Sequence, residues 1–147
     1  MLFIVLFAMI PSFLWGLIPI VDKYAVDQMH IMSYILITSF FYLAISMLYF
    51  ILKPEKMKSE IIKLDSKLLW VGILATIISF VAEVTYLHLL QSHDNLTALI
   101  TALTYTSPFF TLILGYLILK EKITIQCAIG VLFIIAGAVI IAVCHKI

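Results

Sequence analysis

The chain has 147 residues, of which 65% are hydrophobic and 12% charged, against about 45–50% and about 25% in ordinary soluble domains. Nine lysines, no arginine and eight acids leave a net charge of +1, which excludes the basic surface that nucleic-acid binding needs. A chain this apolar cannot hide its side chains from water, so a soluble globular domain is excluded as well.

Five apolar runs, at 2–21, 31–52, 68–90, 96–119 and 123–143, each reach the roughly 18 to 20 residues that cross about 30 Å of hydrocarbon as a helix. Short polar stretches at 22–30, 53–67, 91–95 and 120–122 separate them. Helices are predicted because an open sheet would leave unpaired backbone groups in lipid, and barrel strands would be only about ten residues long. The expected fold is all-α: one membrane domain over 1–147, a polytopic five-helix transmembrane bundle.

The first run lacks a basic leader and exceeds the apolar core of a signal peptide. It shows no small-residue cleavage pattern before Asp22, so it is expected to stay as the first helix. Pro11 lies within it, where a proline removes a backbone hydrogen bond and allows a hinge. The second run carries Ser39, Tyr42, Ser46 and Tyr49 at near-helical spacing.

In the third run Gly72, Thr76, Ser79, Glu83 and Tyr86 follow one another at spacings of four, three, four and three, which puts them on one helix face. The fourth run repeats the arrangement with Thr97, Thr101, Thr104, Pro108, Thr111 and Gly115, and Pro108 is a second candidate hinge. Small and polar residues in membrane helices turn toward other helices or toward water, so these stripes serve either helix packing or a polar pathway.

Glu83 gives the pathway reading its weight, because an ionised carboxylate near mid-span costs about 2.5 to 3.5 kcal/mol on insertion scales. It is the candidate for binding a proton or a cationic solute, with Tyr86 one turn away. Trp15, Tyr42 and Tyr105 are candidate aromatic faces for an organic cation, and Thr101 and Thr104 add hydroxyls. The alternative for Glu83 is a protonated side chain bonded to a neighbouring helix, or one reached by water.

The fifth run repeats Gly130, Gly137 and Cys144 every seven residues, a surface suited to tight helix packing or dimerisation. Cys127 and Cys144 would lie about 25 Å apart on that helix, too far for a disulfide, and are expected to be free, buried thiols. Glu121, between two lysines in a turn, is expected to be solvated. His88, His93 and Asp94 match no metal-ligand spacing and read as polar residues at the membrane edge. No metal, no cofactor and no catalytic constellation is expected, hence no enzyme.

The segment 80–143 resembles the repeat of the drug/metabolite transporter superfamily, especially its EamA-like branch. The features that carry this are Ser107 and Pro108, the turn at Lys120 and Glu121 with Ile123 and Thr124, then Gln126, Gly130 and Gly137. Trp15 and Gly16 followed by Lys23 are similar to the start of the same repeat. The resemblance implies a secondary transporter of small molecules with helices around a central polar cavity. Most EamA-like members join two five-helix repeats in opposite orientation, and this chain holds one. The related four-helix small multidrug resistance proteins work as dimers, but their ion-coupling glutamate is on the first helix, whereas the deep carboxylate here is in the third run.

The functional expectation is a half-size secondary transporter that moves a small organic solute by alternating access as an oligomer. Its partners would be the lipid bilayer, the solute, and a second copy in a homodimer or another repeat protein. The alternative is a non-transporting membrane scaffold or accessory subunit that keeps the transporter fold.

With five spans, the N-terminus shares a side with the 53–67 and 120–122 loops. Those loops hold seven lysines against Lys23 and Lys146 opposite, which predicts a multi-pass protein of the plasma membrane with its N-terminus inside. Single-cysteine labelling of intact cells should leave a probe in the 53–67 loop protected and one beside His93 accessible. Equal labelling at both positions would reveal two orientations and remove the lysine argument.

Overall fold

The computed structural model describes residues 2–144. Seven helices follow in order: α1 Leu2–Val26, α2 Ile31–Leu52, α3 Pro54–Ile62, α4 Ser66–Ser92, α5 Thr97–Thr104, α6 Ser107–Ile118 and α7 Ile125–Cys144, with no strand among the described residues. Five stretches are long and apolar enough to cross a membrane: Met9–Val26, Ile31–Leu52, Ser66–Ser92, Thr97–Ile118 and Ile125–Cys144. The all-α, five-span architecture is therefore as the hydropathy pattern predicts.

The first helix continues to Val26 instead of ending at residue 21. Nothing in the sequence from Asp22 to Val26 breaks a helix, and the Lys23 ammonium reaches the Asp27 carboxylate one turn on, at 2.7 Å. The chain turns only after that, where the Gln28 and Met29 amides both donate to the Ala25 carbonyl at 3.0 Å. Asp22, expected in a loop, thus lies inside the first span.

The fourth span is split, because α5 ends at Thr104 and α6 begins at Ser107. Pro108 stands in the first turn of α6, where its missing N–H has no helical partner to disappoint, but the Thr104 carbonyl loses the amide it would have bonded. The backbone tightens across the break: the Thr106 amide donates to the Leu103 carbonyl at 3.2 Å and the Phe109 amide to the Thr106 carbonyl at 3.0 Å. The Thr106 hydroxyl donates to the same Leu103 carbonyl at 2.7 Å. α1, by contrast, runs unbroken through Pro11 and Pro19.

The chain divides into two units, one of residues Val21–Gln91 and the other of the residues up to Ile20 with those from Ser92. In the first unit the buried residues Val26, Ile31, Ile35, Leu87 and Leu90 mark the end of α1, the start of α2 and the end of α4. The Gln91 amide donates to the Val26 carbonyl at 2.6 Å and ties two of these ends together. The short helix α3 starts at Pro54, a proline position that costs no hydrogen bond. In the second unit α7 contacts both α5 and α6, and burial falls on Ile100, Gly115 and Ala138, one from each helix.

Gly115 is a glycine for a local reason. Its carbonyl accepts from both the Leu119 and Glu121 amides, at 3.1 and 3.2 Å, as the chain reverses through Lys120 with φ 55°. A Cβ at Gly115 would stand 2.9 Å from Glu121 Oε2, so the Glu121 side chain lies back over α6 while staying exposed, as the turn reading expects.

Lys120 holds a left-handed conformation that costs an L-residue roughly 1–2 kcal/mol. Thermal unfolding in detergent should therefore rank Lys120→Gly above Lys120→Val by about 1 kcal/mol. Both variants lose the same charge, so equal stability would mean that the turn does not depend on this φ.

Candidate functional site

The unit formed by Val21–Gln91 brings two carboxylates of membrane-spanning helices into one electrostatic neighbourhood. Asp22, on the last turns of α1, is 8% exposed. It owes this depth to the continuation of α1 past the apolar run, and its Oδ1 accepts a hydrogen bond from the Tyr34 hydroxyl of α2 at 2.7 Å. Tyr34 is placed by the start of α2, where the His30 ring nitrogen Nδ1 accepts from the Met32 amide at 3.2 Å and caps the helix.

Glu83 of α4 lies within electrostatic reach of both Asp22 and Tyr34, and Tyr42 lies within reach of Tyr34. Glu83 shares its helix face with Tyr86, Leu87 and Leu90, three, four and seven residues on, and the latter two are buried. Its side chain is itself exposed, whereas Tyr86 is half-buried with its hydroxyl fully covered. Counting by helical rise, Glu83 stands about 13 Å before the end of α4 and Asp22 about 6 Å before the end of α1. Spans one and three run in the same direction across a bilayer, so both acids belong to the end opposite the lysine-rich 53–67 segment.

Of the expected site residues, Glu83, Tyr42 and Tyr86 thus fall in one unit around Asp22 and Tyr34. Trp15, Thr101, Thr104 and Tyr105 fall in the other. Trp15 is exposed on α1; the Thr104 hydroxyl donates to the Ile100 carbonyl at 2.9 Å; Tyr105 caps the end of α5. Thr101 is half-buried, and its Oγ1 is covered with no hydrogen-bond partner among the described residues.

The hydroxyl stripes are largely occupied by their own helices. Ser46, Thr76, Thr85 and Thr111 each donate to the carbonyl four residues back, at 2.8–3.1 Å, and Thr38 donates to both Tyr34 and Ile35 carbonyls. Gly130 and Gly137 of α7 present open backbone, since a Cβ built at either meets nothing within 4 Å. Cys127 and Cys144 are free, but both are exposed in the isolated chain instead of buried.

Asp22 and Tyr34 are the residues that sequence reasoning missed. Counting apolar runs ends a span at its first charge, and Asp22 is that charge. The signal that finds it is the uninterrupted helix-compatible stretch to Val26 with Lys23 and Asp27 four apart.

The chain matches the EamA-like transporter family over residues 2–143. It belongs to that family. It is therefore an integral, multi-pass membrane protein of a transporter family, and the family's members are transporters and not enzymes. Neither the curated proteins nor the solved structures gave a match. The extent of the match places the polar features of this EamA-like chain, Asp22 and Glu83 included, inside the matched segment.

The hydrogen bond from Tyr34 to Asp22 is the firmest polar link in this neighbourhood. Tyr34→Phe leaves a buried carboxyl without its donor, at a cost of about 1.5–3 kcal/mol. Once Asp22→Asn has removed the charge, the same Tyr34→Phe change should cost clearly less. Thermal unfolding of the four proteins in detergent measures the coupling, and strictly additive losses would show that the bond contributes nothing to stability.

Proposed function

We propose that the chain is a half-size secondary transporter that moves a small organic solute across the plasma membrane, with its N-terminus inside. It acts as an oligomer by alternating access. The observation that carries this reading is the pair of carboxylates, Asp22 and Glu83, within mutual electrostatic reach inside membrane spans, with Tyr34 hydrogen-bonded to Asp22 and within reach of Glu83. Acids within spans are costly and mark ion or substrate paths, and aromatic faces beside them receive organic cations.

In this mechanism Glu83, the exposed member of the pair, takes the proton or the cationic group of the solute. Asp22, held by Tyr34, keeps the local field negative. Tyr42 and Tyr86 supply aromatic surface, and Trp15, Thr101, Thr104 and Tyr105 are further candidate solute contacts. The interruption at Pro108 gives the fourth span a hinge, with Pro11 as a second one in α1.

Oligomerisation is supported by the little that the chain covers of itself: no span has more than 17% of its window buried. The open glycine backbone at Gly130 and Gly137 suits close helix contact, with a second copy or another repeat protein.

Purified protein in liposomes tests the reading through Glu83→Gln. The variant should insert and fold as before but lose solute transport, or lose its dependence on pH. Transport with an unchanged pH profile would make Glu83 a packing residue and remove the basis for this mechanism.

A further inference from the structure

The second unit holds a groove that the carboxylate pair does not involve. A cavity of about 440 Å3 runs between α6 and α7, with Pro108, Leu112 and Val131 along its length and Glu121 and Lys122 at one end. Most of its lining, including Pro108, Thr111, Glu121, Lys122 and Cys127, is exposed in the isolated chain. The Thr111 hydroxyl is occupied by the Ser107 carbonyl, so the polar chemistry of the groove is concentrated at its charged end.

The groove fits within one leaflet. Its lining starts at Ser107 and its charged end lies beside Gly115, a rise of about 12 Å along α6, within half of the roughly 30 Å hydrocarbon core. The adjoining spans end at Ile118 and begin at Ile125, which puts Glu121 and Lys122 at the level of the lipid headgroups. The Glu121 carboxylate lies close over Gly115. Although adjacent in sequence and opposite in charge, Glu121 and Lys122 form no ion pair with each other or with any described residue.

An apolar channel within one leaflet, topped by a separate acid and base, has the complement of a zwitterionic phospholipid. We propose that the α6–α7 groove binds one such lipid, with an acyl chain along Leu112 and Val131, the phosphate on Lys122 and an ethanolamine ammonium on Glu121. Ethanolamine fits better than choline because its N–H groups donate to the carboxylate, and better than glycerol because glycerol brings no cation.

The test is native mass spectrometry of the full chain, titrated in detergent with phosphatidylethanolamine, phosphatidylcholine or phosphatidylglycerol of identical acyl chains. Ethanolamine lipid should be retained about fivefold more than the other two, the scale of one partly exposed ion pair. Glu121→Gln should bring ethanolamine and choline lipids to the same retention, and Lys122→Gln should weaken all three. Val131→Phe should reduce all three by filling the groove, and Thr111→Leu serves the same purpose if the phenylalanine variant does not fold. Equal retention of the three lipids, or an ethanolamine preference that survives Glu121→Gln, overturns the proposal. So does a disulfide between two copies through Cys127 in the Cys144→Ala protein, since that puts a second chain in the groove.

Discussion

Hydrocarbon offers a polar group nothing to bond with, and this constraint organises the molecule. Each span must pair its own amides and carbonyls, which makes it a helix, and the hydroxyls along it do the same. Thr38, Ser46, Thr76, Thr85, Thr104 and Thr111 all return their protons to carbonyls of their own helix. Stripes of Ser and Thr that look like a polar seam are thereby quiet toward their surroundings. What remains demanding are the groups that an isolated helix does not satisfy: the Asp22 and Glu83 carboxylates, and the Thr101 hydroxyl.

The same constraint explains why the break in the fourth span is tolerable. A proline at position 108 frees the Thr104 carbonyl, and the tightened turn beside it keeps the neighbouring Leu103 carbonyl paired with the Thr106 amide and hydroxyl. The break and the carboxylates lie in different units, and the proposed mechanism assigns motion to the first and solute or proton binding to the second.

A five-span chain that covers so little of itself leaves two kinds of surface. Faces of Leu, Ile and Phe are satisfied by lipid tails at no cost. Grooves that end in unpaired charge are not, and the α6–α7 groove with Glu121 and Lys122 is of that kind. On the readings proposed above, the chain carries a lipid site in the α6–α7 groove and a solute or proton site at Asp22 and Glu83.

The sequence by itself determined the fold class and the number of spans, because hydropathy over twenty residues is an additive property that needs no knowledge of neighbours, and it pointed to the family through the resemblance of its 80–143 segment. It also picked out Glu83, since any carboxylate deep in an apolar run stands out against a cost of about 2.5 to 3.5 kcal/mol. It placed Asp22 in a loop and left Tyr34 unremarked, because the partnership of an α1 acid with an α2 hydroxyl twelve residues later depends on where α1 stops and how α2 starts. Likewise Glu121 read as a solvated turn residue, and it is exposed, but only the structure brings its carboxylate close to Gly115. Tertiary structure decided these points, because hydrogen-bond partners and close contacts depend on directions in space, which a pattern of apolar and polar letters does not contain.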